Sequence, residues 1–94
     1  MREVRWSQQA LRDLDKVADH YNDIAPDYAD RVQDALLLAA DFLLDSPGAG
    51  SPFGSRGARK WTPAGVPYVL VYRSTRNGVG IVRVHHARKD WRPR

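Results

Sequence analysis

Residues 67–91, PYVLVYRSTRNGVGIVRVHHARKDW, decide the fold of this chain. Two runs of alternating apolar residues flank Asn77-Gly78, a pair whose tolerance of positive φ suits a two-residue type I′ turn. They read as one β-hairpin. With that turn, Arg73 is expected opposite Val82, Val71 opposite Val84 and Val69 opposite His86. Side chains alternate with period two, so Tyr68, Leu70 and Tyr72 share the second face with Ile81, Arg83 and His85. One face is then aliphatic, and the other aromatic and basic.

Upstream of the hairpin, Pro63, Ala64 and Gly65 turn the chain out of a short strand expected from Ala58 to Thr62. Ser46, Pro47 and Gly48 end a helix, and the Gly, Ser and Pro residues through Gly57 read as a flexible loop. That helix is capped by Asp27 in this reading, and its core stripe is Val32, Leu36, Ala39 and Leu43. A second apolar set, Ala35, Leu38, Phe42 and Leu44, lies off the stripe; either the sheet wraps around it or a partner covers it. An earlier helix starts after the Ser7 cap, carries Leu11, Leu14, Ala18, Tyr21 and Ala25 at helical spacing, and stops at Pro26. Val4 and Trp6 alternate with Arg5 as an N-terminal strand that joins an edge of the sheet. The order predicts an α+β fold: a short strand, an antiparallel helical hairpin, and a three-stranded antiparallel meander covered on one face by the helices.

The 94 residues fit one small domain, 1–94, which can bury about two thirds of its unfolded surface. With no cysteine, disulfide frameworks and thiolate metal sites are excluded. The opening MREVRWSQQ does not resemble a signal peptide, and no apolar run approaches the ~18 residues of a membrane span, so the expectation is a cytoplasmic protein without a membrane partner. Net charge is +4 but unevenly placed: residues 1–47 carry −5 and residues 48–94 carry +9. The basic half is suited to an anionic partner, whether nucleic acid or an acidic protein segment.

The opening WSQQALRDLDKVADHY, the helix pair ending in DSP, the segment PYVLVYR and the closing VRVHHARKDW together resemble the RelE/ParE toxins of bacterial type II toxin–antitoxin modules. The resemblance runs in order along the whole chain. It implies a helical hairpin on a curved antiparallel sheet, neutralised by a cognate antitoxin whose flexible segment wraps the toxin. Two activities occur on this scaffold, ribosome-dependent messenger-RNA cleavage and poisoning of DNA gyrase.

Metal-free RNA cleavage needs groups that activate the 2′-OH, protonate the leaving 5′-oxygen and neutralise phosphate charge. In RelE-like ribonucleases a catalytic arginine usually follows the aromatic residue of the segment matching PYVLVY; here Val69 stands there. Lysines sit on the preceding strand of those enzymes. Lys60 matches one, whereas Thr62 supplies no cation at the other match. Arg88 can replace a tail arginine and His85 or His86 the acid, so a ribonuclease would rest on Lys60, His86 and Arg88. The departures favour a ParE-like toxin that binds gyrase without cofactor or metal. In that reading Arg73, Arg83, His86, Arg88, Lys89 and Trp91 contact the target, and Ala35, Leu38, Phe42, Arg83 and Arg88 contact the antitoxin. A ribosome-dependent ribonuclease acting on messenger RNA is the second reading, and a non-toxic nucleic-acid-binding module the third.

Several of these residues also have ordinary structural roles. His86 fits a satisfied imidazole closing the aliphatic face, and His85, pointing the other way, cannot join it on one metal. Asp15, Asp19 and Asp23 recur every four residues, yet Arg12 and Lys16 lie within helical reach, as on a solvated face. Trp61 and Tyr72 suit packing as well as base stacking.

Overall fold

The computed structural model describes residues 2–54 and 56–88. In chain order the elements are β1 (Glu3–Trp6), α1 (Gln8–Asn22), α2 (Pro26–Asp45), β2 (Ser51–Pro52), β3 (Arg59–Trp61), β4 (Tyr68–Thr75) and β5 (Gly78–His86). The five strands form one sheet in the order β1-β5-β4-β3-β2, antiparallel except where β1 runs parallel to β5. This is the α+β arrangement expected, with the N-terminal strand at an edge. The loop after α2 differs from expectation, because Ser51 and Pro52 pair with Lys60 and Arg59 as an added edge strand.

Local rules set the helices. Ser7 caps α1, its Oγ accepting from the Ala10 N–H at 2.9 Å. At α2 the cap position is Ala25 and Asp27 lies in the first turn; Pro26 opens the helix, where its missing N–H costs nothing. The stripe Val32, Leu36, Ala39 and Leu43 is buried as its periodicity predicts. On α1 the buried line is Ala10, Asp13 and Val17, with Leu14 and Tyr21 packed beside it, and Leu11 is exposed. The stripe is rotated because α1 lies against both α2 and β5, so its buried arc faces the gap between them.

The hairpin register also departs from expectation. Arg76 and Asn77 form the turn, Thr75 pairs with Gly78, and a β-bulge interrupts the ladder between Val71 and Tyr72. The positive φ falls on Gly78 (144°), whose missing Cβ leaves room for the Glu3 backbone of β1. The bulge shifts β5 by one residue, and such a shift moves side chains to the other face. Tyr72 pairs with Ile81 on the turn side of the bulge, and beyond it Leu70 pairs with Val84 and Tyr68 with His86. Tyr68, Leu70, Tyr72, Val79, Ile81 and Val84 join residues of α1 and α2 in the core. His86 and Val84 thus lie on the tyrosine face of the sheet, and the expected aliphatic face joining Val69 and Val71 to Val84 and His86 does not form.

Beyond the ladder, Tyr72 is fully buried and ties the α2–β2 connection to the sheet. Its hydroxyl donates to the Pro47 carbonyl (2.8 Å) and accepts from the Gly50 N–H (2.9 Å). Arg59 Nη1 donates to the Gly50 carbonyl at 2.6 Å. A segment that composition marks as flexible is held at both of Gly50's backbone polar groups.

Candidate functional site

Two surfaces gather chemistry-bearing residues, and each follows from how the chain leaves the sheet. The first is the outer edge of β5. Strand β1 covers that edge only as far as Trp6, opposite Ile81, after which the chain turns into α1. Beyond that point β5 would expose unpaired backbone groups, a liability in any sheet. Side chains from the start of α1 take them instead: Ser7 Oγ donates to the Val82 carbonyl (2.8 Å), and Asp13 Oδ2 accepts from the Val84 N–H (2.9 Å). The same carboxylate accepts from Arg83 Nε (2.9 Å) and Nη2 (3.2 Å).

Asp13 is the only buried charged residue among those described. Hydrogen bonding to its carboxylate raises the Arg83 pKa above the ordinary value against an opposing desolvation effect, so the guanidinium stays charged. Nothing in the sequence singles out Asp13, because one aspartate on an aspartate-rich helix carries no mark of burial. Its place three residues after the buried Ala10 is the only local signal.

Next to this pair a cleft of about 340 Å³ opens between α1 and the ends of β4 and β5. Lys16 and His20 line it from α1, Tyr68 from β4, and Arg83, His85 and His86 from β5. Burial, aided by the Arg83 charge and opposed by Asp13, holds His85 below the ordinary imidazole pKa. Burial, reinforced by contact with Tyr21, pushes the Tyr68 phenol well above its usual range and keeps it a neutral hydroxyl. The His86 ring stands edge-on to Tyr68 at 5.2 Å, and its Nδ1 accepts from the Arg88 N–H at 3.1 Å, which leaves the proton of a neutral ring on Nε2.

The second surface is apolar. Ala35, Leu38 and Phe42 on α2 line a shallow groove with Trp61 of β3 and the following Pro63 and Ala64. The Phe42 and Trp61 rings lie 5.1 Å apart, yet Leu38 is 68% and Phe42 44% exposed. The sheet does not wrap this face of α2.

The expected site residues thus fall into separate groups. Arg83 and His86 share the cleft and Arg88 follows at the exposed end of β5. Arg73 is exposed near the other end of the hairpin, about 16 Å along β4 from Tyr68 by strand rise. Lys89 and Trp91 lie outside the described residues. Ala35, Leu38 and Phe42 sit over the β3 side, across the sheet from Arg83, so the expected antitoxin contacts divide between two surfaces. The possible ribonuclease set also divides. Lys60 pairs with Val71 and His86 with Tyr68, three residues apart on β4, which puts the two side chains on opposite faces. Lys60 instead sits 6.0 Å from the centre of the Phe53 ring. Asp15, Asp19 and Asp23 are exposed, and no group of three or more potential metal ligands occurs among the described residues. No helix there is long and apolar enough to cross a membrane.

Residues 4–91 match the family described as ParE toxin of type II toxin-antitoxin system, parDE. A candidate toxin of Sinorhizobium fredii, Y4kP, is 35% identical over 88 residues, which cover 94% of this chain and 91% of that one. Toxin RelE2 of Caulobacter vibrioides is 33% identical over 87 residues, covering 93% of this chain and 97% of its own. A solved chain from the chromosomal ParDE TA system of P. aeruginosa shares the fold with a TM-score of 0.79 and 26% identity, over 92% of this chain and 96% of that one. With the match spanning both helices and the sheet, the chain belongs to the ParE toxin family of type II toxin–antitoxin systems.

Proposed function

We propose that this toxin acts by binding DNA gyrase, not by cutting messenger RNA. The observation that carries the reading is the position of Val69, where the RelE-like ribonucleases usually place a catalytic arginine: it is only 2% exposed. An arginine there would bury a charge without an evident partner. Two further features support binding over catalysis. Thr62 is exposed at the end of β3 and carries no cation, and Lys60 faces away from His86. Exposed Arg73 and Arg88 remain on the sheet layer as contacts for an anionic surface.

A toxin of this family has a cognate antitoxin, and the groove at Ala35, Leu38 and Phe42 suits the apolar face of an antitoxin helix. Acidic residues of the same segment would meet Arg88 by reaching around the sheet. Arg83 is a weaker candidate for that contact, since Asp13 already occupies Nε and Nη2.

The deciding experiment applies the purified toxin to gyrase supercoiling and, separately, to translating ribosomes. Loss of supercoiling or accumulation of cleaved DNA, with intact messenger RNA, is expected. Codon-dependent cuts that vanish in His86→Ala or Arg88→Ala, with gyrase unaffected, would establish the ribonuclease instead. Val69→Arg is expected to create no cleavage, because a catalytic group works only with its partners in place.

A further inference from the structure

The chain has three histidines, and all three line one cleft. His20 comes from α1, and His85 and His86 from the end of β5 more than sixty positions later. Lys16 and the charged Arg83 join them, and Tyr68 adds a neutral hydroxyl. We infer that this cleft is a binding site for a phosphate-class oxyanion. Nothing in the fold requires such convergence. The edge of β5 is already satisfied by Ser7 and Asp13, and the core is closed by tyrosine, leucine and valine side chains.

The shape of the donor set selects phosphate over carboxylate. A carboxylate binds best in the plane of an arginine, through two parallel hydrogen bonds. On Arg83 that fork is filled by Asp13. What remains is Lys16 and His20 from α1 facing His85 and His86 from β5, a set suited to a tetrahedral anion that accepts from several directions. A cleft of about 340 Å³ is roomy enough for such a group with its remaining water.

The charge balance makes binding depend on protons. Asp13 and Arg83 offset one another, so Lys16 is the one remaining fixed cation among the lining residues. The other titratable groups facing the cleft are His20 on α1, Tyr68 on β4 and His85 and His86 on β5, with Tyr21 of α1 behind Tyr68. Tyr68 stays neutral. An anion favours the protonated form of any imidazole it contacts, so such an anion is held more tightly as pH falls.

Binding here is independent of whether gyrase or the ribosome is the target, and its test uses neither. Proton NMR of the full-length toxin gives three histidine ring signals, all reporting on this cleft. Sodium sulfate, which does not titrate near neutrality, is added at about pH 6 and about pH 8, against sodium chloride at matched ionic strength and against acetate. Saturable shifts with sulfate, about tenfold tighter at the lower pH and about tenfold weaker in Lys16→Gln, are expected. His20→Gln serves as a second variant; both positions are exposed, so packing is retained. Inorganic phosphate and a short single-stranded oligonucleotide distinguish the source: tighter binding of the oligonucleotide points to a nucleic-acid backbone, and equal or weaker binding to free phosphate. Shifts reproduced by chloride or equally by acetate, or midpoints unchanged in both variants, would overturn the assignment.

Discussion

Asp13 and Arg83, 70 positions apart, form a side-on ion pair whose carboxylate also accepts the Val84 N–H. One buried side chain therefore closes the open edge of β5, fixes α1 against the sheet and orients a cleft-lining guanidinium. Arg83 keeps 38% of its side-chain surface exposed, so the charge pair itself is partly screened. The larger penalty for losing Asp13 is the unpaired, buried N–H of Val84.

Replacing Asp13 by alanine is expected to destabilise the fold by about 2–3 kcal/mol, the range for a lost charge-assisted bond and an unsatisfied buried donor. Urea unfolding measures it. A cost below about 0.5 kcal/mol would show that water replaces the carboxylate at the strand edge.

Tyr72→Phe keeps the ring in the core and removes only the hydroxyl that bridges Pro47 and Gly50. The expected loss is about 1–3 kcal/mol, because the Gly50 N–H is buried there. Limited proteolysis should then cut first between residues 46 and 58. Unchanged stability with an unchanged cleavage pattern would mean that Arg59 and the β2–β3 pairing suffice to hold the loop.

Leu38→Asp should separate folding from partner binding. Leu38 is largely exposed, so its melting temperature should stay close to that of the unchanged protein. Antitoxin affinity should fall by at least about tenfold, as at an apolar hot spot. Calorimetric titration with the antitoxin decides it, and wild-type affinity would remove the groove from the interface.

The pKa of His85 is lowered by desolvation and then by Arg83, against the pull of Asp13. The folded state thus prefers the neutral ring, while the unfolded chain binds the proton near the ordinary value of about 6.5. This contribution to stability is complete above that value. It declines as pH drops below it and levels off once the folded ring is also protonated. His85→Gln should therefore show a smaller loss of melting temperature between about pH 7.5 and pH 5.5 than the unchanged protein, in buffers without sulfate or phosphate. Parallel curves for the two proteins would contradict the shift.

What the sequence determined by itself was the part of the fold set by neighbours in the chain. Ser7 caps α1 through the N–H three residues on, and Val32, Leu36, Ala39 and Leu43 recur at the period that brings them onto one side of α2. The alternation from Tyr68 to Tyr72 likewise identified a strand before any partner was known. Apolar excess on α2 was legible at Leu38 and Phe42, but whether the sheet wrapped that face or left it open was not.

Tertiary structure decided whatever depended on contacts distant in sequence. The register of β4 and β5 turned on a bulge and on Gly78 making room for β1, neither visible in the hairpin alone. The burial of Asp13 followed from β1 leaving β5 at Ile81 and exposing the Val84 N–H to α1. His20 shares a cleft with His85 and His86 because α1 packs against the same strand. Periodicity assigns a residue to a face, but only the packed chain determines which backbone groups and which distant side chains that face meets.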